Sequence, residues 1–128
     1  MSVQELESVA QKFCDAFNRL DIKAALDLFS DDVEIFDHVP YRFDNKKQFA
    51  DFLVGAMEGI ASGNVGFRQL SCRAIGDNAG VVNAYDTFTG VTKDGKVQNI
   101  HGRTTLVCGK QGGQWKIVSA HFSPLPHA

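Results

Sequence analysis

Basic runs are absent from this 128-residue chain: its 13 lysines and arginines never extend beyond the pair Lys46–Lys47, and the formal net charge is −2. Binding to nucleic acid or to an anionic membrane surface needs clustered positive charge, so neither is an expected partner. Long apolar runs are missing too, and none approaches the ~20 residues that span a bilayer. The opening residues MSVQELESV are acidic and amphipathic instead of basic and then apolar, so no signal peptide is expected there. Cysteine is scarce and odd in number. Cys14, Cys72 and Cys108 have no CxxC spacing, which predicts free thiols acting as small hydrophobes in a cytoplasmic protein. His38, His101 and His121 show no HxH or HxxxH spacing, so no metal is expected. GxSxG, P-loop and Rossmann fingerprints are lacking, so no cofactor is expected either.

What remains is a single domain over 1–128, long enough to bury ~65–70% of its unfolded surface around a core and a modest pocket. The first half carries helical periodicity. Ser2 and Glu5 form a capping box, after which Leu6, Val9, Ala10, Phe13, Phe17 and Leu20 make one apolar stripe. Asp21 caps a shorter helix whose predicted buried face is Ile22, Ala25, Leu26 and Phe29, ended by Ser30-Asp31-Asp32. Val33, Ile35 and Asp37 alternate with Glu34, Phe36 and His38, a short strand that Pro40 stops. Asn45 with Gln48 opens the strongest helix, with Phe49, Phe52, Leu53, Ala56, Met57 and Ile60 on one face and Gly63 near its C-cap.

From Asn64 onward the texture is β. Turn-rich breaks at 76–80, 93–95 and 109–113 separate four runs, roughly 64–75, 80–92, 96–109 and 114–123, that read as an antiparallel meander. Runs this long are expected to bend, with Gly66, Gly90 and Gly102 as candidate bulge positions. Helices first and sheet last means an α+β fold, a curved antiparallel sheet half-wrapped into a cone. In the final run Trp115, Ile117, Ser119, His121 and Ser123 alternate, which places tryptophan and histidine on one face. A cavity wall, apolar at one end and polar at the other, suits both.

The order α-α-β-α-β-β-β-β, with "GRTTLVCGKQGGQWKIVSAHFS" (102–123) and "FNRLDIKAALDLFSDDVEIFD" (17–37), resembles the nuclear transport factor 2-like superfamily. Within it the tail is most similar to SnoaL-like (polyketide cyclase-like) domains and to the association domain of calmodulin-dependent kinase II. Arg103, Thr105, Trp115, Ile117, Val118, His121 and Ser123 match the pattern. The resemblance implies a cone-shaped, cystatin-like roll, and a scaffold that hosts enzymes, binding proteins and oligomerisation modules alike. Ketosteroid isomerases of this superfamily use an Asp at the end of the first strand as a base, and Asp37 falls there. Where they carry an oxyanion-stabilising Tyr on the first helix, this chain has Phe13, and no carboxylate lies between Gly102 and Gly109. Losing one such donor typically costs ~10²–10³ in rate, so the steroid-isomerase mechanism is not expected to carry over.

The candidate site residues follow. Asp37, in phase with Val33 and Ile35, is either a base with a raised pKa or a turn cap at "DHVP". His121 is a pocket acid/base or a hydrogen-bonded core residue. Arg103 either anchors a carboxylate or enolate or pairs with a cone acid such as Asp37 or Asp86. Phe13, Trp115 and Ser119 are expected to line the pocket, His101 to sit at its rim, and Tyr41 with Phe43 to form a flap across its mouth. The direction of Tyr85 is open, since neither set of alternate residues on its strand is clearly apolar. The leading expectation is a domain that binds a small, partly apolar molecule and forms a homodimer through the sheet. The alternatives are a proton-transfer enzyme (isomerase, dehydratase or cyclase) using Asp37 or His121, and an oligomerisation module.

Overall fold

A computed structural model describes residues 2–126, with side chains from residue 3 onward, so the cap read at Ser2 lies outside the described side chains. Helix α1 (Ser2–Asn18) buries Leu6, Val9, Ala10 and Phe13 as its stripe requires. Its end is tied to the sheet: the Asn18 side chain donates to the Val65 carbonyl and accepts from the Val65 N–H, mimicking a strand partner. Helix α2 (Ile22–Leu26) is capped by Asp21, which accepts from the Ala24 N–H at 3.0 Å. Phe29 is not on that helix. It opens β1 (Phe29–Phe36), where it pairs with Ile117 and is fully buried. Past Pro40 the chain turns back and adds a two-residue edge strand, β2 (Arg42–Phe43), antiparallel to β1. Helix α3 (Lys46–Glu58) begins at Asn45, whose side chain accepts from the Gln48 N–H at 2.9 Å. It ends at Gly59, so Ile60 and Gly63 belong to the next strand.

Strands β3 (Ile60–Ile75), β4 (Ala79–Thr92), β5 (Val97–Gln111) and β6 (Gln114–Pro124) form the expected antiparallel meander. The whole sheet is six-stranded in the order β2-β1-β6-β5-β4-β3, and it is mixed, not purely antiparallel, because β1 runs parallel to β6. The chain leaves β2 through α3 and re-enters the sheet at the opposite edge. Three antiparallel steps then return β6 in the direction of β1. Helices α1 and α3 cover one face, α1 against β3 and β4, α3 against β1. Their side chains join Val33, Ile35, Val82, Leu106, Cys108, Trp115, Ile117 and Ala120 in the core. All three cysteines are free, and burial pushes the Cys14 and Cys108 thiols up to about 11 and about 12.

The bends do not fall at glycines. Register shifts occur between Ile60 and Ser62, between Arg68 and Ser71, and in β6. Gln69, at the second, has φ 52, in the left-handed region. The shift in β6 matters most. Val107 pairs with Ser119 while Cys108 pairs with Ile117, so Val118 is an extra residue that inverts the alternation. Before it, Trp115 and Ile117 point into the core; after it, Ala120 and Phe122 do, and Ser119 and His121 turn to the other face. The single-face reading of Trp115 through Ser123 is therefore corrected: the stretch is split by one bulge.

The two halves of β6 should respond differently to truncation. Ile117→Ala is expected to cost ~2–5 kcal/mol, as for a buried aliphatic. His121→Ala is expected to change stability by no more than ~0.5 kcal/mol, as for an exposed position. Urea unfolding of both variants checks this, and a large loss for His121→Ala would contradict the bulge.

Candidate functional site

On the helix-covered face a cavity of about 220 Å³ remains. Six phenylalanines line it: Phe13 and Phe17 from α1, Phe49 from α3, Phe67 from β3, Phe88 from β4 and Phe122 from β6. Phe13 is at their centre, 4.7 Å from Phe17 and stacked on Phe67 and Phe122 at 5.5 and 6.0 Å between ring centroids. Leu53, Val65 and Ile100 complete the apolar wall. Glycines on the strands make room for it. A Cβ on Gly90 would lie 2.6 Å from the Phe88 ring, and one on Gly63 would lie 3.0 Å from it.

Two carboxylates enter this apolar space. Asp86 on β4 accepts a hydrogen bond from the Thr104 hydroxyl at 2.5 Å. Its cross-strand partner is Gly102, where a Cβ would stand 2.7 Å from the Ser123 carbonyl and 2.9 Å from Asp86 Oδ1. Gly102 is thus a close-approach position for the Asp86 carboxylate, not a bulge. Asp37 follows the end of β1, and its Oδ1 accepts from the His38 N–H at 2.7 Å. Burial pushes the Asp37 carboxyl above its ordinary range, and the negative charge of Asp86 adds to this. The His38 hydrogen bond and charge oppose the shift. His38 lines the same space; no lysine or arginine does. Among the described residues no group of three or more His, Cys, Asp or Glu is placed to hold a metal ion.

The structure brings only Asp37 and Phe13, of the residues singled out from sequence, to this cavity. Arg103 and His121 do share a face on adjacent strands, but it is the sheet's outer face, with Arg103 paired to Ser123 and Thr105 paired to His121. Both are exposed, and the His121 ring lies 5.7 Å from that of Phe36. The bulge at Val118 turns His121 outward, Arg103 faces out because the alternation of β5 puts Thr104 and Leu106 inward, and the network expected between them and Asp37 does not form. Ser119 is on the same outer face. Trp115 is core, donating its indole N–H to Glu5 at 2.8 Å, with Lys110 5.7 Å over its ring. His101 is exposed on β5 and Tyr41 packs edge-on against Phe43, neither lining the cavity. Tyr85 points outward beside Asn83 and Arg103.

Thr87, Thr104 and His38 are polar lining residues that sequence reasoning missed, and Asp86 was named only as a cone acid that could pair with Arg103. The usable signal was the pairing of a lone in-phase acid with a glycine across the hairpin. It was masked because neither Val82, Ala84 and Asp86 nor Val81, Asn83 and Tyr85 is a clearly apolar set.

The family model described as SnoaL-like domain matches residues 6–127. No curated protein matches the sequence. Among solved structures, a candidate aromatic ring hydroxylase from Novosphingobium aromaticivorans is similar with TM-score 0.89 at 16% identity, over 98% of this chain and 90% of that one. A nuclear transport factor 2-like superfamily protein from Salmonella enterica gives 0.87 at 22% identity, over 98% and 92%. A ketosteroid isomerase-like protein from Erwinia carotovora gives 0.84 at 18% identity, over 98% of both chains. At these identities the likeness shows the fold, an α+β roll.

The raised Asp37 carboxyl sets a pH dependence. An acid whose folded pKa exceeds its unfolded value favours the folded state while protonated, so stability is lost as pH rises from ~4 through the folded pKa. Asp37→Asn, which keeps an acceptor for the His38 N–H, is expected to be more stable than the parent at neutral pH. The difference should vanish below pH ~4. Thermal unfolding of both proteins across pH checks the sign.

Proposed function

The chain belongs to the SnoaL-like domain family, and on that premise we propose that its cavity binds a small, partly apolar molecule carrying a polar group that meets Asp37 and Asp86. The observation that carries this reading is the combination of six phenylalanines and two carboxylates around one cavity of about 220 Å³. Apolar walls with a few convergent polar groups are the common make-up of small-molecule sites. The Phe wall supplies contact area, and the carboxylates accept hydrogen bonds from the ligand and orient it.

The environment of Asp37 supports a second reading, proton transfer. A carboxylate desolvated by its surroundings and held by a single backbone N–H is a stronger base than one in water. Phe13 stands where the resemblance places the isomerases' donor, and the Thr104 hydroxyl is committed to Asp86, so neither serves as an oxyanion donor. Chemistry at Asp37 therefore suits substrates whose developing charge is delocalised over a conjugated system.

The outer face supports pairing of two chains. Phe36 and Tyr85 are exposed there among Arg103, Thr105 and His121, the aromatic and arginine mixture that enriches protein interfaces. Sedimentation at micromolar concentration is expected to give a dimer mass, and Arg103→Glu to lower it towards a monomer.

Titration with 2-naphthol, followed by its fluorescence, is expected to show saturable binding. Ile100→Trp, at a lining position that is 40% exposed, is expected to weaken it by about tenfold or more by filling the opening. Absence of saturable binding to the parent would overturn the ligand-binding reading. For proton transfer, exchange of the α-protons of 2-cyclohexenone in deuterated buffer is expected, falling ~10²–10⁴-fold in Asp37→Asn.

A further inference from the structure

We propose that the molecule held in this cavity is an organic cation, a primary or quaternary ammonium group on a compact hydrophobic body. The inference rests on the ligand-binding reading and specifies the charge of the ligand. Three features of the lining point the same way. First, among the described residues around the cavity no lysine or arginine faces its two carboxylates, and the basic side chain there is the imidazole of His38. Burial, and after it the charge of Asp86, push the Asp37 carboxyl up, against the His38 hydrogen bond and charge. A bound cation relieves both effects at once, whereas a neutral ligand relieves neither and an anion worsens them. In a partly desolvated space this difference is larger than it would be in water.

Second, each carboxylate keeps an oxygen for the ligand. The Thr104 hydroxyl bonds Asp86 Oδ2 and the His38 N–H bonds Asp37 Oδ1. Among the described residues no donor meets Asp86 Oδ1 or Asp37 Oδ2. Gly102 clears the space beside Asp86 Oδ1, since a Cβ there would stand 2.9 Å from that atom. Third, the rest of the wall is dominated by phenylalanine. Aromatic rings are the apolar surface that attracts a cation, through the negative face of the ring, and they have no hydroxyl or indole N–H to compete for the carboxylates. Aliphatic walls would offer the same area without that attraction. Aromatic rings and carboxylates together select a hydrophobic ammonium over its neutral or acidic counterparts.

The test uses three probes of one shape: 2-phenylethylamine, 2-phenylethanol and phenylacetate, titrated calorimetrically into the protein at pH 8. The amine is expected to bind at least about tenfold more tightly than the alcohol, and phenylacetate not measurably. In Asp86→Asn the amine is expected to lose at least about tenfold more affinity than the alcohol, whose hydroxyl can still donate to the amide oxygen, and residual alcohol binding shows that the variant retains the cavity. Asp37→Asn serves in the same way should Asp86→Asn fail to fold. An alcohol that binds as tightly as the amine, or amine affinity that survives both substitutions, would overturn the cationic assignment and leave the ligand-binding reading standing. If none of the three probes binds while 2-naphthol does, the cationic assignment falls and the ligand-binding reading stands; if 2-naphthol fails as well, both fall.

Discussion

One extra residue in the last strand decides how this molecule is organised. The strand β6 lies between β1 and β5, so it is paired on both sides along most of its length. With period-two alternation unbroken, Trp115 and Ile117 in the core would carry Ser119, His121 and Ser123 into it as well. Inserting Val118 as a bulge converts that outcome. Ala120 and Phe122 take the inward positions, and the polar residues turn out to solvent. A matching irregularity in β1, between Phe29 and Glu34, keeps Val33 and Ile35 inward beside them. The apolar half of the sheet packs under the helices, and the other half is left to wall the cavity.

Close approach is the second constraint, and the glycines enforce it. Phe88 lies over the backbone of Gly63 and Gly90, and Asp86 lies beside Gly102. In each case a methyl group would meet ring or carboxylate atoms at or inside 3.0 Å. The strands therefore surrender side chains at three positions so that an aromatic ring and a carboxylate can occupy the space above them. Weakening of a strand by glycine, through lost packing and greater unfolded-state freedom, is offset here by what the vacated volume admits.

The electrostatics of the cavity follow from that placement. Two acids stand among phenylalanines, while the arginine and histidine that would balance them, Arg103 and His121, are on the opposite face. Burial is the main cause of the raised Asp37 carboxyl, with the charge of Asp86 adding to it, and the two acids make the interior attractive to hydrogen-bond donors and positive charge. The outer face, with its exposed Phe36 and Tyr85 among polar and basic groups, has the composition of a contact surface instead.

The sequence by itself determined the elements and the fold. Caps at Asp21 and Asn45, the stripe from Leu6 to Phe13, and the turn-rich breaks between strands are local signals, and each is written in residues a few positions apart. The assignment of Asp37 to the cavity was legible because it is in phase with Val33 and Ile35, and that of Phe13 because it falls where the resemblance places a pocket residue. Only the tertiary structure decided which way β6 faces beyond Val118, that β1 runs parallel to it, and that Asp86, not Arg103 or His121, shares the cavity with Asp37. A bulge has no signature in one strand. It arises because a partner strand supplies one residue where this one supplies two, and that register is a property of the pair.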